Sequence, residues 1–210
     1  MDELRDVVLQ MHITLDGFAD SKEGFVPITD RSYWRELGKA LATTGAGRVD
    51  TLLLGKGTYQ QFIRFWPKVA MDPSAPKDWR RQALFLHETP KVVFSKSLKK
   101  ADWNGSTLVR GDLRREISRL KRLPGKNLLV PGGVAFPRAL IQQDLVDEYL
   151  LSVVPMVLGS GRDRLFGPRD RPQDLRHVRS WSFRNGVVLH QYRKHQSKRA
   201  HFIPPEDAIH

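Results

Sequence analysis

Three short stretches of the sequence place glycine, lysine and hydroxyl residues directly after apolar runs. They read LLLGKGTYQQF (residues 52–62), VVFSKSL (92–98) and LLVPGGVAF (128–136). Glycines allow a ligand to approach the backbone closely, and a helix that begins after them points free N–H groups at an anion. Lysine adds a positive charge, and the hydroxyl groups add hydrogen bonds. The combination predicts that these stretches bind an anionic group, such as the phosphates of a nucleotide.

Each stretch also has a purely structural interpretation when it is taken alone. Gly55 and Gly57 flank Lys56 just before Thr58, but a turn between a strand and a helix often uses glycine for its backbone freedom. The SKS segment (95–97) suits the 2′-phosphate that separates NADP from NAD, and it equally suits an exposed polar turn. Neither GKGTYQ nor the glycine pair matches a Walker loop or the G-x-G-x-x-G fingerprint. The prediction of a nucleotide site therefore depends on the order of all three stretches.

The elements that must position these stretches alternate between strands and helices. The apolar runs predict strands over 6–15, 51–55, 91–95, 106–111, 127–132 and 147–159, and the amphipathic runs predict helices over 32–44, 56–65, 77–87, 112–123 and 133–142. Asn185-Gly186, between two further apolar runs, predicts a C-terminal antiparallel hairpin. The pattern predicts an α/β fold with three αβα layers and a mostly parallel central sheet. Ligands of such sheets bind at the carboxyl ends of strands, where all three stretches lie.

Length and composition indicate one domain over residues 1–193, followed by a polar, basic tail over 194–210. The absence of cysteine excludes disulfides and thiolate metal sites, and we predict no metal site. No apolar run approaches the roughly 18 residues of a membrane span, and the N-terminus lacks the features of a secretory signal. We therefore expect a cytoplasmic protein that does not bind membranes.

The net charge of +12 is concentrated near the C-terminus. Residues 162–199 contain 11 Arg or Lys and three Asp, a net charge of +8. Such a surface attracts nucleic acid, an acidic membrane or a phosphorylated small molecule, and it is also compatible with a solvated basic face. No nucleic-acid-binding motif accompanies the charge. We therefore do not predict a nucleic-acid partner.

The order of the motifs resembles a known fold. G-K-x-T-Y after the second strand, S-K-S after the third, and G-G before a later helix together resemble the dihydrofolate reductase-like fold. ITLDGFAD near the N-terminus, and the segments LVRGDLRREISRLKRLPGKNLLVPGGVAF and LVDEYLLSVVPMVLGSGRDRLF in the second half, resemble one branch of it. That branch is the reductase domain of bifunctional riboflavin-biosynthesis deaminase/reductases, together with stand-alone proteins built from it. The resemblance covers residues 6 to 192.

The resemblance implies a reductase that uses NADPH and is commonly a homodimer. It assigns Gly55, Lys56 and Thr58 to the cofactor phosphates, Ser95 and Lys96 to the adenosine ribose, and Gly132, Gly133 and Val134 to the pyrophosphate. It also implies that the glycine pair is joined by a cis peptide bond. The glycines would then serve both a strained bond and a closely packed phosphate.

The substrate end of the site is less defined by the sequence. Asp16, at the end of the first strand, is a candidate proton donor, and its simpler interpretation is a residue of an Asp-Gly turn. Glu36 is a second candidate, because dihydrofolate reductase uses a carboxylate on the corresponding helix, and its simpler interpretation is an exposed helix residue. Arg162 and Arg164 are candidates for a substrate phosphate, and they equally suit a dimer surface or a solvated turn.

The leading hypothesis is an NADPH-dependent reductase of a small flat nitrogen heterocycle, pterin-like or similar to a pyrimidine precursor of riboflavin. One alternative is a non-catalytic nucleotide-binding or interaction protein that retains the fold. Another is a reductase that uses a flavin in the same cleft. Fold resemblance alone does not decide among these functions.

Overall fold

The computed structural model describes residues 4–21, 24–25, 31–161, 163–167 and 172–195. Its centre is an eight-stranded sheet. Six adjacent strands of this sheet run parallel to one another, and the last two strands of the chain form an antiparallel hairpin at one edge. The predicted three-layer α/β fold with a mostly parallel sheet and a C-terminal hairpin is confirmed.

The elements of the main sheet and its helices have the following bounds. The strands are β1 (Val7–Thr14), β4 (Val49–Gly55), β5 (Lys91–Phe94), β6 (Ser106–Val109), β7 (Asn127–Pro131), β8 (Glu148–Val154), β10 (Leu175–Ser182) and β11 (Val188–Lys194). The helices are α1 (Arg31–Leu41), α2 (Lys56–Met71), α3 (Lys77–Glu88), α4 (Leu113–Arg122) and α5 (Ala135–Gln142), with a short 3-10 helix at Gly45–Gly47. The strand order of the main sheet is β10-β11-β8-β1-β7-β4-β5-β6. A small second sheet contains β2 (Phe18–Ser21), β3 (Gly24–Phe25) and β9 (Asp163–Arg164).

The two faces of the sheet bury separate apolar clusters. Along β1, Val7, Leu9, Met11 and Ile13 belong to one cluster, which also contains residues of α4 and α5. Val8 belongs to the other, which contains residues of α1, α2 and α3. The alternation follows from the two-residue period of a strand. It places helices on both faces of the sheet.

The amino edge of the sheet is stabilised by paired charges. Glu148 is 1% exposed and accepts hydrogen bonds from Gly45 N at 3.0 Å, from Gln191 Nε2 at 3.0 Å and from Arg193 Nη1 at 3.4 Å. Lys121 Nζ lies 2.7 Å from Asp147 Oδ2. A buried carboxylate must be paired and hydrogen-bonded to be tolerated. This edge therefore has a structural role.

Two predicted boundaries are wrong. Residues 66–67 were expected in a loop, but α2 continues through Pro67 to Met71. Proline disfavours a helix interior, and here the aromatic packing of Trp66 against Phe62 and Trp79 supports the helix beyond it. The strand predicted over 147–159 ends at Val154, because the following Pro155 has no N–H to donate to a sheet ladder.

Within the described residues, no helix is long and apolar enough to cross a membrane. Strand β11 ends at Lys194, and residues 196–210 of the predicted tail lie outside the described part of the chain. The domain boundary at residue 193 stays a prediction.

Candidate active site

The parallel register brings the three glycine and lysine stretches to one edge of the sheet. In β7 and β4, Leu129 pairs with Leu52, and in β4 and β5, Gly55 pairs with Phe94. The loops that follow β7, β4 and β5 therefore begin next to one another, at the carboxyl ends of three adjacent strands. The order β7-β4-β5 places the Gly55 loop between the other two.

The GKGT stretch begins α2 at the end of β4. Gly55 is the N-cap residue, and a side chain there has little space, since a Cβ atom would lie 2.6 Å from Phe136 Cβ. Lys56 is exposed and Thr58 is buried. The lysine is thus available to a ligand, while the threonine packs inward.

The glycine pair after β7 adopts backbone conformations that favour glycine. Gly132 has φ +102° and Gly133 has φ +82°, in the left-handed region. A Cβ atom on Gly133 would collide with Thr58 Oγ1, whereas one on Gly132 would meet no atom within 4 Å. Gly133 thus allows the β7 loop to approach α2, and Gly132 faces open space. The cis peptide implied for this pair is wrong, because no cis peptide bond occurs in the described part of the chain.

The SKS stretch after β5 contacts the GKGT stretch directly. Lys56 Nζ donates a hydrogen bond of 3.0 Å to Ser97 Oγ. Ser95 Oγ accepts hydrogen bonds from Ser97 N at 3.3 Å and Leu98 N at 2.9 Å, which fixes this turn. Lys96 is exposed beside it. Two exposed lysines and a serine hydroxyl therefore occupy the ends of neighbouring strands.

Two of the helices that begin at this edge have no side-chain cap. The N-cap residues of α2 and α5 are Gly55 and Val134, and neither accepts a hydrogen bond from the first turn through its side chain. No acidic residue stands in either first turn. Helix α4, in contrast, is capped by Asp112, whose Oδ1 accepts from Arg115 N at 2.9 Å. The uncapped N–H groups of α2 and α5 suit an anion.

Asp16 lies in a turn at the end of β1 and accepts several hydrogen bonds. Thr14 Oγ1 donates to its Oδ1 at 2.6 Å, and the backbone N–H groups of Leu158 and Gly159 donate at 3.2 and 2.8 Å. The bond from Thr14, followed by those from Gly159 and Leu158, lowers the pKa of Asp16 to about 2. At neutral pH this carboxylate is ionised, which favours a fixed acceptor over a proton donor. Its catalytic role stays a prediction.

Glu36 and the two arginines are less closely tied to this edge. Glu36 is half-buried on α1, one helical turn after Tyr33. Arg164 is exposed in β9, with its guanidinium carbon 4.8 Å from the centroid of the Phe18 ring. Leu165 N donates to Gly17 O at 3.1 Å, so β9 lies beside the turn that contains Asp16. Arg162 lies outside the described residues. The roles of all three side chains stay predictions.

His12 lies on the first predicted strand and is not among the candidate site residues of the sequence analysis. It is half-buried on β1, and its Nε2 is hydrogen-bonded to the Tyr33 hydroxyl at 2.8 Å. Burial lowers the pKa of His12 to about 4 and raises the pKa of Tyr33. The available signal was the polar series Gln10, His12 and Thr14 at alternate positions of an otherwise apolar strand.

An open pocket lined by Lys77, Arg80 and Glu88, among others, lies elsewhere, on the α2–α3 connection and α3.

Comparisons with known proteins give the same family as the motifs. The model of the RibD C-terminal domain family matches residues 5–189. YyaP, an uncharacterized protein of Bacillus subtilis strain 168, is 30% identical over 186 residues, which are 88% of this chain and 92% of YyaP. The family match begins before β1 and ends within β11, so it includes all of the parallel strands of the main sheet.

Two solved structures share the fold at low sequence identity. One is a deaminase/5-amino-6-(5-phosphoribosylamino)uracil reductase from Thermotoga maritima, with a TM-score of 0.61 and 17% identity, over 91% of this chain and 57% of that longer chain. The other is dihydrofolate reductase from Enterococcus faecalis complexed with NADP(H), with a TM-score of 0.57 and 11% identity, over 90% of this chain and 96% of that one. The chain therefore belongs to the RibD C-terminal domain family, and it shares the fold of dihydrofolate reductase.

Proposed function

We propose that the protein is a reductase that transfers a hydride from NADPH to a small flat nitrogen heterocycle. The observation that carries the proposal is the meeting of three loops at one sheet edge. Lys56 bonds Ser97 across two strand ends, and Gly133 lies against Thr58 with no space for a side chain. The loops after adjacent strands thereby place lysine ammonium groups, hydroxyl groups and backbone without side chains in the same region.

The residues present fit a dinucleotide with an additional phosphate. The uncapped N-termini of α2 and α5 would hold the pyrophosphate, with Gly132 and Gly133 allowing close approach and Val134 beginning the second helix. Lys56, Ser95 and Lys96 would hold the 2′-phosphate side of the adenosine ribose. When bound, NADPH supplies the hydride, and the protein orients the nicotinamide against the acceptor.

The proposal for the acceptor draws on the printed names of the relatives. The Thermotoga maritima protein is named as a reductase of a phosphoribosylaminouracil, and the Enterococcus faecalis protein is a dihydrofolate reductase. Both names describe flat nitrogen heterocycles. We extend that class of substrate to this chain, and we propose Arg164 for a phosphate on it because Arg164 is exposed beside the turn of β1.

The test is oxidation of NADPH by the purified protein with either 7,8-dihydrofolate or 5-amino-6-(5-phosphoribosylamino)uracil as acceptor. The proposal predicts that one of them accelerates the loss of NADPH absorbance. Nucleotide binding without oxidation would favour the non-catalytic alternative, and binding of FMN in place of NADPH would favour the flavin alternative. The homodimer stays a prediction, which light scattering tests. The cytoplasmic location also stays a prediction.

A further inference from the structure

One face of the central strand β1 is partly exposed in the middle of the strand, at Gln10 and His12, between the buried Val8 and Thr14. Neighbouring strands pair with β1 on both sides, and Val7, Leu9 and Met11 on one face are at most 4% exposed. On the other face Gln10 and His12 are only half-buried. Polar, partly exposed side chains in the middle of an eight-stranded sheet mean that no helix covers them completely. We refer to this partly exposed region over Gln10 and His12 as the cleft.

The packing of the helices explains where the cleft lies. Helix α1 packs toward the hairpin, with the ring centroids of Tyr33 and Phe183 5.2 Å apart. Helix α2 packs toward the opposite end of the sheet, with Tyr59 6.4 Å from Trp103. Tyr33 and Trp34 of α1 contact the His12 ring, which nevertheless stays partly exposed.

The cleft reaches the glycine pair. In the parallel pairing of β1 with β7, Gln10 stands opposite Pro131. His12 lies two residues further toward the carboxyl end of β1, and the glycine pair follows Pro131 directly in the chain. A ligand over His12 would therefore adjoin the proposed cofactor site.

The hydrogen bond between Tyr33 and His12 bears on which nitrogen of His12 carries the proton. The Tyr33 hydroxyl lies 2.8 Å from His12 Nε2. Where Tyr33 donates in this bond, Nε2 accepts, and the neutral ring carries its proton on Nδ1. Ser152, which pairs with His12 on β8, has a buried Oγ that makes no hydrogen bond within the described residues.

The Nδ1 atom is available to a ligand. No residue in the described part of the chain hydrogen-bonds it, and the His12 side chain is partly exposed. Trp34, whose ring centroid is 5.3 Å from that of His12, provides a flat apolar wall. Gln10, about 7 Å along the same strand face, adds an amide that both donates and accepts.

We propose that His12 Nδ1–H donates a hydrogen bond to a carbonyl oxygen or ring nitrogen of the heterocyclic acceptor, and that Tyr33 is the positioning residue that fixes this tautomer. This inference rests on the proposed function, because the acceptor must lie against the nicotinamide. A neutral donor matches an uncharged lactam edge, such as that of a uracil or a pterin. The lowered pKa of His12 is consistent with a neutral ring at physiological pH.

The test uses full-length protein labelled with ¹⁵N-histidine and titrated with 5-amino-6-(5-phosphoribosylamino)uracil and with 7,8-dihydrofolate. Each titration is run with and without NADP⁺, which prevents turnover. The inference predicts that one heterocycle shifts the Nδ1 resonance of His12 and leaves His177, an exposed histidine on β10, unchanged. Tyr33→Phe should redistribute the His12 tautomers before any ligand is added.

Affinity measurements complete the test. His12→Ala should weaken binding of that heterocycle about tenfold, and Tyr33→Phe about threefold, as expected for one neutral hydrogen bond. NADPH affinity should not change in either variant, and His177→Ala should match the wild type. Heterocycle binding that leaves His12 unshifted, or a failure of both heterocycles to shift it, overturns the inference. Failure of NADPH to bind instead overturns the proposed function, and the titrations without nucleotide still decide the role of His12.

Discussion

Lys56 Nζ, at the first residue of α2, donates a 3.0 Å hydrogen bond to Ser97 Oγ in the turn after β5. The two residues are 41 positions apart in the chain, and the bond joins the loops of two neighbouring parallel strands. Neither side chain is buried. A serine hydroxyl is a weak partner for an ammonium group, which leaves the lysine charge available to a phosphate.

The first prediction concerns this charge. Lys56→Ala and Lys96→Ala should each weaken NADPH binding by about tenfold, since a charge-assisted hydrogen bond to phosphate contributes roughly 1.4 kcal/mol or more. NADH lacks the 2′-phosphate, so its affinity should change less. Lys77→Ala on α3 is the matched control, because Lys77 is also exposed but lies away from this edge. Calorimetric titration measures all three, and equal losses for NADPH and NADH would remove these lysines from the 2′-phosphate site.

The second prediction concerns the glycine pair. Gly133→Ala should greatly weaken NADPH binding and lower the free energy of unfolding by about 1–3 kcal/mol, because φ +82° disfavours a side chain and the new Cβ would collide with Thr58. Gly57→Ala is the control, since a Cβ there meets no atom within 4 Å and Gly57 lies within α2. Denaturant unfolding and NADPH titration check both variants. A folded Gly133→Ala protein with wild-type affinity contradicts the assignment.

The third prediction concerns Asp16. Asp16→Asn should reduce turnover and leave NADPH affinity nearly unchanged, because the carboxylate holds the backbone of Leu158 and Gly159 beside the end of β1. Its pKa of about 2 lies below the unfolded value, so its contribution to stability is present above about pH 4 and is lost as the pH falls toward 2. Steady-state kinetics and acid unfolding measure the two effects. Unchanged turnover would reduce Asp16 to a turn residue.

The fourth prediction concerns His12 and pH. Its folded pKa of about 4 lies below the unfolded value near 6.5, so the unfolded chain binds the proton more tightly. Stability should fall as the pH decreases from about 6.5 to 4, by at most about 3 kcal/mol and by less because the ring is partly exposed. His12→Asn should lack this component. Urea unfolding at several pH values compares the two proteins, and parallel stability curves would show that His12 does not titrate in this range.

The candidate cofactor loops were predictable because their signals are local. Each follows a short apolar run, and the parallel arrangement that the alternating elements predict brings the strand ends to one edge. Thr58 and Gly133 could be identified as candidate cofactor-binding residues although the contact between them was not predicted. Their residue types and their place before a helix were sufficient.

The partners of Asp16 and His12 were not predictable in the same way. The N–H groups that bind Asp16 come from residues 142 and 143 positions away, and Tyr33 reaches His12 from the next helix of the chain. Such contacts depend on tertiary packing, which strand periodicity does not contain. The continuation of α2 through Pro67 has the same origin, because aromatic packing outweighs a local signal.

The most direct test of the central claim is a parallel calorimetric titration of the purified protein with NADPH, NADH and FMN. The account predicts NADPH binding in the micromolar range and NADH binding at least about tenfold weaker, a difference of roughly 1.4 kcal/mol. Absence of NADPH binding, or binding of FMN alone, would contradict the claim that the loops after β4, β5 and β7 form an NADPH site.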